Sequence, residues 1–270
     1  MPKISFLCVN FNNSEFTLKF CDSLRVQRGQ GINFDFQCYI VDNSTSVPDA
    51  LITENFSKNY SWINYIKAPT NLGYFGAFNF AFERIDVANN DYVVLCNNDL
   101  AIDENFCEII FNKNYKSNIF AVCPDVLTKD GIHQNPHIET KIGWLRRFQF
   151  DIYFMNYYVA RFMSWILGIV RPKKALRTMP LSACEVHMGI GACYVLTPTF
   201  LKRFKKLNYP HFLYGEEAYF SEQIHSVGGI LWFDPDLLVH HAESASLSKV
   251  PKRISYEYSR SGYPSYRKLL

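Results

Sequence analysis

The chain lacks the cysteine pairs that mark zinc or redox sites. Its eight cysteines include no C-x-x-C pair, and several of them lie inside apolar runs that resemble strands. A disulfide framework or a zinc site is therefore not expected, and buried reduced thiols fit better. The first residues, MPKISFLCVNFNN, have too short an apolar part for a signal peptide. We therefore expect a cytoplasmic protein.

The sequence also lacks a strong charge of either sign. With 28 basic and 25 acidic residues the net charge is only +3, which gives no indication of a nucleic-acid partner. No G-x-G-x-x-G follows the first apolar run, so a dinucleotide-dependent dehydrogenase is disfavoured. The segment VNFNNSEF offers no basic, glycine-rich phosphate loop either, which argues against a nucleotidyltransferase. With no internal repeat and no low-complexity linker, 270 residues fit one domain.

What the sequence does contain is an alternation of apolar runs and helical patterns. Runs that are apolar on both faces are typical of parallel strands covered by helices on both sides. We therefore predict a single α/β domain with an open, mostly parallel sheet and helices on both faces. The predicted strands are 4–9, 36–41, 62–67, 91–96, 119–128, 188–196 and 230–240, the last of them broken by Pro235. The predicted helices include 15–27, the segment after NLGYFG, and 216–226.

Polar side chains fall at or just beyond the ends of several predicted strands and loops of the first half. They are Asn10, Asp42, Asn71 and Asp99. In open α/β sheets, ligands bind in a crevice outside the carboxyl ends of the strands. One crevice would therefore collect all four residues. Asp and Asn are also common in ordinary turns, so a purely structural role for each of them stays open at this point.

Two further groups point to chemistry in the second half. Glu216 and Glu217 follow an aromatic-glycine step and open a helical pattern, whereas His240 and His241 close the run LWFDPDLLVHH. Adjacent residues do not share a helix face, so only one of the two acids should point at a substrate. The helix dipole alone also favours acids in a first turn. Together with Asp99, these groups suggest a metal-assisted transfer site.

The middle of the chain, 140–180, is rich in aromatic and basic residues. The stretch 152–170 approaches the length of a membrane span, but it contains Asn156 and Arg161. Its apolar residues recur with a helical period from 148 to 170. We interpret it as an interfacial or core-covering amphipathic helix rather than a span, with a contact to the inner membrane surface through 144–174 as one option.

The motifs together resemble one known family. The segments that carry the resemblance are ISFLCVNFNN, YIVDNS, NLGYFGAFNFAF, YVVLCNND, GACYVLTP, FLYGEEAYFSEQIHSVGG, WFDPDLLVHHAESAS and YSRSGYPSYRK. In this order they are similar to family-two inverting glycosyltransferases, which have a GT-A fold, and most similar to the bacterial rhamnosyltransferase-like branch that builds surface polysaccharides. The resemblance implies a UDP- or dTDP-sugar donor, a lipid-linked or glycan acceptor, and a peripheral position at the inner face of the cytoplasmic membrane.

The resemblance also implies a division of the chain and of the roles. A glycosyltransferase domain would span 1–248, with a nucleotide-binding half (1–100) and an acceptor half (101–248), followed by a basic, tyrosine-rich tail (249–270). Glu217 would be the catalytic base, with Glu216 beside it raising its proton affinity. Asp99 and His241 would bind Mn²⁺ or Mg²⁺. The donor-binding positions would be Asn10, Asn12, Asp42, Asn71, Gly73, Asn98 and Arg260.

One departure from the family pattern leaves a second function open. The family usually carries Asp-x-Asp where this chain reads Asn97-Asn98-Asp99. The final acid, Asp99, matches the metal-binding position, but the first carboxylate is missing. A catalytically inactive sugar-nucleotide-binding or assembly protein of the same fold is therefore the alternative, and a nucleotidyltransferase is a weaker one.

Overall fold

The computed structural model describes residues 1–29, 34–170, 182–242 and 252–270. The strands within these ranges are β1 (Lys3–Asn10), β2 (Asp35–Asp42), β3 (Ile63–Lys67), β4 (Tyr92–Asn97), β5 (Leu100–Ile102), β6 (Ile119–Thr128), β7 (Cys184–Val186), β8 (Cys193–Leu196) and β9 (Ile230–His241). The helices are α1 (Ser14–Arg25), α2 (Val47–Ser57), α3 (Tyr74–Phe82), α4 (Phe106–Asn112), α5 (Trp144–Tyr153), α6 (Tyr157–Val170), α7 (Pro198–Arg203), α8 (Glu216–His225) and α9 (Lys252–Tyr266).

The strands form one mixed sheet in the order β3-β2-β1-β4-β8-β6-β9-β5, with β7 also paired to β9. The first four strands in this order are parallel, and their carboxyl ends coincide because Asn10 pairs with Asp42 and Val9 with Asn97. β8 runs antiparallel to both of its neighbours, whereas β6 and β9 are parallel. The predicted single α/β domain is confirmed. Its sheet is parallel among the first four strands of the order, whereas the strands from the second half of the chain include antiparallel pairs.

The core lies in two layers, one on each face of the sheet. Successive residues of β1 point to opposite layers, with Phe6 and Cys8 in one and Leu7 in the other. This alternation explains why the strand is apolar without interruption. All eight cysteines are free, and every one except Cys184 is fully buried, as expected for reduced thiols.

Two predicted strands differ from the structure. Only Cys193–Leu196 of the predicted strand 188–196 is extended, and the residues before it form a loop. Pro235 does not end β9. Instead, the strand continues, and its register against β6 shifts at this point. Pro124 pairs with Asp234, whereas the next residue, Asp125, pairs with Leu238. The proline lies in this bulge, where no ladder hydrogen bond is required of it.

The predicted single helix over 148–170 is in fact two helices. α5 ends at Tyr153, and α6 begins at Tyr157. The Oδ1 atom of Asn156 accepts hydrogen bonds from the backbone N–H groups of Tyr158 and Val159, at 3.0 Å each. Asn156 is therefore an N-cap that starts a new helix. No helix among the described segments has both the length and the hydrophobicity that a membrane span requires. Residues 171–174 of the proposed membrane contact lie outside the described ranges.

The segment predicted as a tail contains a packed helix, α9. Its residue Tyr263 stacks on Phe154 with ring centroids 4.4 Å apart, and Tyr258 contacts Phe212 at 5.4 Å. Tyr266 packs against the backbone of Gly215. α9 thus joins the helix pair α5–α6 to the loop that precedes α8. Residues 249–251 of the predicted tail are not among those described.

Candidate active site

A cavity of about 320 Å³ lies at the carboxyl ends of the parallel strands, where a crevice was predicted. Six of the predicted site residues line it, and they come from four different segments of the chain. They are Asn71, Gly73, Asn98, Glu216, Glu217 and His241. The sheet therefore brings together residues that are up to 170 positions apart in the sequence.

A second hollow of about 730 Å³ is larger but chemically poorer. It lies at the amino ends of β4 and β6, between 114–119 and 197–199. No Asp, Glu or His is among the residues that line it. Its position at the opposite edge of the sheet and its lack of titratable acids make it a weaker candidate for catalysis than the smaller cavity.

Asp99 and His241 meet beside the smaller cavity. β5 pairs antiparallel with β9, so that Leu100 lies opposite His241 and Asp99 stands next to the imidazole. The His241 Nε2 and Asp99 Oδ1 atoms are 3.3 Å apart, and both side chains are buried. They also share an adjoining hollow of about 280 Å³. His241 therefore connects the main cavity with the carboxylate of Asp99.

Gln134 fixes the orientation of this imidazole. Its Oε1 atom accepts a hydrogen bond of 2.7 Å from Nδ1 of His241, and Gln134 itself lines the cavity. With the proton on Nδ1, the Nε2 atom keeps its lone pair toward Asp99. Sequence analysis missed Gln134, because nothing in its local sequence marks a loop glutamine as a partner of a histidine 107 residues away.

The donor set fits a divalent cation. Both carboxylate oxygens of Asp99 and the Nε2 atom of His241 are buried without a hydrogen-bond partner among the described residues. Buried acceptors left unsatisfied are costly, and a cation would satisfy all three. Within the same ranges no group of three or more His, Cys, Asp or Glu side chains could hold a metal. The remaining ligands would therefore come from substrate and water.

The two acids at the start of α8 differ in environment. Burial and the nearby charge of Glu217 raise the pKa of Glu216 to about 8, although backbone hydrogen bonds oppose this shift. Glu217 faces the cavity, and its Oε1 atom accepts a hydrogen bond of 3.3 Å from the backbone N–H of Gly191. The sequence suggested that Glu216 would raise the proton affinity of Glu217. In the structure, Glu216 is the buried acid whose pKa is raised.

The raised pKa of Glu216 predicts a pH-dependent stability. Between the ordinary pKa of 4.5 and about 8, the folded protein binds more protons than the unfolded chain, so this contribution to stability falls as the pH rises. Glu216→Gln should remove a slope of at most about 1.4 kcal/mol per pH unit. Urea unfolding across this range measures it, with Glu222→Gln, an exposed position of the same helix, as the control. Equal slopes in both variants would contradict the assignment.

Two glycines allow the walls of the cavity to approach each other closely. Gly73 has φ +73° and ψ −171°, and a Cβ atom there would lie 2.1 Å from the carbonyl oxygen of Phe212. At Gly191 a Cβ atom would lie 2.7 Å from Oε1 of Glu217. The missing side chain at Gly73 lets the start of α3 approach the loop before α8. The missing side chain at Gly191 leaves room for the carboxylate of Glu217.

Gly73→Ala is expected to lower the free energy of unfolding by about 2–5 kcal/mol, because it combines backbone strain with a clash against the main chain. Gly228 is the matched control, since it shares φ +73° but a Cβ atom added there would meet no other atom within 4 Å. Gly228→Ala should cost only about 1–2 kcal/mol. Chemical denaturation compares the two, and similar losses would show that the contact with Phe212 is unimportant.

Asn10 and Asp42 lie behind the cavity and not in its wall. Asp42 accepts hydrogen bonds from Asn10 Nδ2 (3.0 Å), Tyr65 Oη (2.6 Å) and Lys67 Nζ (2.9 Å). Burial alone would raise the pKa of Asp42, but the hydrogen bonds, including those from Ser44, lower it overall. Neither Asn10 nor Asp42 is among the lining residues. The geometry gives both a structural position, where the sequence predicted direct donor contacts.

Asn12 and Asn98 are also engaged in the scaffold. Asn12 Oδ1 accepts hydrogen bonds from the backbone N–H groups of Thr45 (3.0 Å) and Ser46 (2.8 Å). Asn98 Nδ2 donates to Thr17 Oγ1 (2.9 Å) and to the carbonyl oxygen of Asn13 (3.2 Å). Asn98 still lines the cavity, whereas Asn12 does not. Both side chains order the loops around the site.

Arg260 is not brought to the cavity. Its Nε atom donates a hydrogen bond of 3.1 Å to the carbonyl oxygen of Phe154, and one of its terminal nitrogens lies 3.5 Å from Glu257. The side chain lies on α9 and does not line the cavity. The predicted contact of this guanidinium with the donor diphosphate therefore does not agree with its position.

Several solved structures of similar fold were determined with a nucleotide or a nucleotide sugar. They include GalNAc-T7 with UDP, GalNAc and Mn²⁺ (TM-score 0.57), S. aureus TarS 1–349 with UDP-GlcNAc (0.56), and the mannosyltransferase PcManGT from Pyrobaculum calidifontis with GDP-Man and Mn²⁺ (0.58). Each is 12% identical to this chain and covers 90%, 94% and 98% of it, respectively. The chain in turn spans only 44%, 60% and 63% of those chains. At this identity the similarity shows the fold, which is GT-A-like as predicted.

Sequence comparison gives the family. No curated protein matches the chain significantly. The family model described as glycosyl transferase family 2 matches residues 5–176, which is more than half of the chain and includes β1, β4 and Asp99. The chain therefore belongs to glycosyl transferase family 2.

Proposed function

We propose that the protein transfers a sugar from a nucleotide-diphosphate donor to an acceptor hydroxyl, with inversion at the anomeric carbon. The observation that carries this proposal is the position of Glu217 and His241 in one cavity, next to the carboxylate of Asp99, which has no hydrogen-bond partner among the described residues. A base on one side and a cation-binding pair on the other are what direct displacement of a diphosphate requires.

Asp99 and His241 would hold the divalent cation of the site. The chemistry that a bound Mn²⁺ or Mg²⁺ supplies is Lewis-acid stabilisation of the charge on the departing diphosphate. An imidazole ligand favours Mn²⁺ over Mg²⁺, which prefers oxygen ligands. The GalNAc-T7 and PcManGT structures were solved with Mn²⁺, which supports this choice.

Glu217 would be the general base. Its carboxylate accepts the proton of the acceptor hydroxyl while the new C–O bond forms and the bond from the anomeric carbon to the diphosphate breaks. The carboxylates among the lining residues are Glu216 and Glu217, adjacent on one helix. No second carboxylate faces them across the cavity among these residues to act as a nucleophile, so a single displacement and inversion follow.

The donor-binding roles divide into direct and indirect ones. Asn71, Gly73 and Asn98 line the cavity and would shape the donor pocket. Asn10, Asn12 and Asp42 would act by ordering the loops that surround the nucleotide. We do not assign Arg260 to the donor, because its guanidinium is bonded elsewhere.

The finer assignment follows from the resemblance of the sequence motifs. We propose a UDP- or dTDP-sugar donor, hexosyl or rhamnosyl transfer of the bacterial rhamnosyltransferase-like type, and a lipid-linked or glycan acceptor of a surface polysaccharide such as O-antigen or capsule. A cytoplasmic protein at the inner face of the membrane is consistent with such an acceptor.

A thermal-shift panel of UDP-, dTDP- and GDP-sugars, with and without Mn²⁺, tests the proposal. One donor class should stabilise the protein in the presence of Mn²⁺, by about 2.7 kcal/mol at a hundredfold excess over Kd. Absence of any response to all three donor classes would overturn it. A response that is equal with and without Mn²⁺ would remove the metal from the proposal and leave donor binding in place.

Gln134→Leu is expected to weaken Mn²⁺ binding by about 10- to 100-fold, because the imidazole of His241 loses the partner that fixes its tautomer. Electron paramagnetic resonance measures free Mn²⁺ directly, and ¹⁵N chemical shifts of the His241 ring report the tautomer. Gln149→Leu, an exposed position on α5, is the matched control. Unchanged Mn²⁺ affinity together with an unchanged tautomer would show that Gln134 has no role in the site.

A further inference from the structure

The helix pair α5–α6 presents a large apolar surface that no described part of the chain covers. Trp144 and Trp165 are 78% and 63% exposed, although tryptophan is usually buried to a large extent. Exposed apolar residues are ordinary when they are scattered, but a contiguous group marks an interaction site. The exposed large apolar side chains of this surface are Trp144, Leu145, Phe148, Met155, Tyr158, Phe162, Trp165 and Ile166.

The spacing of these residues places them on the outer faces of the two helices. On α6 the positions 158, 162, 165 and 166 follow the helical repeat of one face, and the rings of Phe162 and Trp165 stack with centroids 6.1 Å apart. The inner faces carry Phe150, Phe154 and the buried Ala160. The two helices are thus already packed on the protein by one side, and their other side has no partner in the described structure.

The charged residues of α5 and α6 are mostly basic. Arg146 and Arg161 are exposed within this surface. Asp151 is the acidic residue of α5, and its carboxylate is paired with the guanidinium of Arg267 and the hydroxyl of Tyr263. The net charge that the surface presents to a partner is therefore positive, which complements an anionic one.

We propose that the outer face of α5 and α6 docks on the surface of an anionic lipid bilayer, with the helices lying in the headgroup region. Tryptophan and tyrosine prefer this region, since their rings are apolar while their N–H and O–H groups still reach water. Exposed arginines among apolar and aromatic residues are the composition of helices that bind membranes in the interface plane.

This surface is mechanically connected to the candidate active site. Phe154 of the α5–α6 connection stacks on Tyr263 of α9, whereas Tyr258 and Tyr266 of α9 contact Phe212 and Gly215 of the loop before α8. That loop continues into the cavity wall and Glu217. Docking would therefore hold the cavity at a fixed distance from the lipid surface, where a lipid-linked acceptor would present its hydroxyl. This last step rests on the proposed function, whereas lipid binding itself does not.

Co-sedimentation with vesicles tests the docking surface without any donor or acceptor. The protein should bind vesicles of phosphatidylcholine that contain phosphatidylglycerol, bind pure phosphatidylcholine more weakly, and lose affinity in high salt. The triple variant Trp144→Ser, Phe162→Ser, Trp165→Ser should reduce partitioning by about tenfold or more. The double variant Leu51→Ser, Ile52→Ser is the matched control, because it removes exposed apolar residues from α2 instead. Failure to bind either kind of vesicle, or equal losses in both variants, would overturn the proposal.

Two further measurements keep the result unambiguous. Brominated lipids should quench the tryptophan fluorescence of the unmodified protein, because two of its four tryptophans lie on this surface. Absence of quenching would overturn the proposal even if the triple variant failed to fold. Light scattering without lipid should show no self-association. A dimer that is present in the unmodified protein and lost in the triple variant would show that this surface binds a second copy of the chain and not lipid. The donor-induced thermal shift should be the same in the triple variant, which separates a failure of docking from a failure of sugar transfer.

Discussion

Glu217→Gln is expected to lower kcat for sugar transfer by about 10²- to 10⁴-fold, because removal of a general base costs this much when the nucleophile is a neutral hydroxyl. The amide keeps an oxygen that can accept the hydrogen bond from Gly191, so the wall of the cavity should remain intact. Donor binding in the presence of Mn²⁺ should therefore change little. Initial rates of transfer and the donor-induced thermal shift together measure both quantities.

The controls for this variant lie on the same helix. Glu222→Gln changes an exposed acid of α8 and should leave transfer unaffected. Glu216→Gln should reduce transfer less than Glu217→Gln, because burial and the charge of Glu217 raise the pKa of Glu216, so that a neutral amide resembles its protonated form. Transfer that survives in Glu217→Gln would show that the base lies elsewhere. An unmodified protein that binds donor but transfers nothing would favour the inactive sugar-nucleotide binder.

Asp99→Asn is expected to abolish tight Mn²⁺ binding and to lower transfer by about 100-fold or more, since Lewis-acid stabilisation of the leaving group is worth several kcal/mol. Mn²⁺ titrations by electron paramagnetic resonance and assays over a range of Mn²⁺ concentrations measure the two effects. Asp130→Asn, an exposed acid near the end of β6, is the matched control. Added Mn²⁺ should restore little activity to Asp99→Asn.

The stability of Asp99→Asn separates a metal site from a structural ion pair. Both oxygens of Asp99 lack hydrogen-bond partners among the described residues, so the metal-free variant should be as stable as the original protein or slightly more stable. If Asp99 and His241 instead formed a structural ion pair, Asp99→Asn would lower the stability of the metal-free protein. Loss of stability with unchanged Mn²⁺ affinity would therefore contradict the assignment of these residues to a cation.

The gathering of the site residues could be predicted because it follows from strand order. Asp99 lies just beyond the end of β4, His241 ends β9, and Glu217 lies in the first turn of a helix that the sequence places between them. In an α/β sheet the ends of such strands meet at one edge, whatever the details of packing. This reasoning needs only the apolar runs and the polar residues that end them. The fold class was predictable on the same basis and is confirmed.

Side-chain direction at those same strand ends could not be predicted. Asn10 and Asp42 also end strands, but their side chains are hydrogen-bonded to each other, and Asp42 also accepts a hydrogen bond from Lys67, so they support the cavity from behind. The contact of Gln134 with His241 depends on the parallel pairing of β6 with β9, which no local pattern encodes. Likewise, the break between α5 and α6 depends on whether Asn156 caps a helix or faces solvent within one.

The most direct test is a crystal structure with Mn²⁺ and the nucleotide sugar that gives the largest thermal shift, using anomalous scattering to locate the metal. The account predicts a Mn²⁺ peak held by Asp99 and His241, with the diphosphate beside it and the sugar in the 320 Å³ cavity next to Glu217. A metal bound at any other place, or a donor seated away from this cavity, would contradict it.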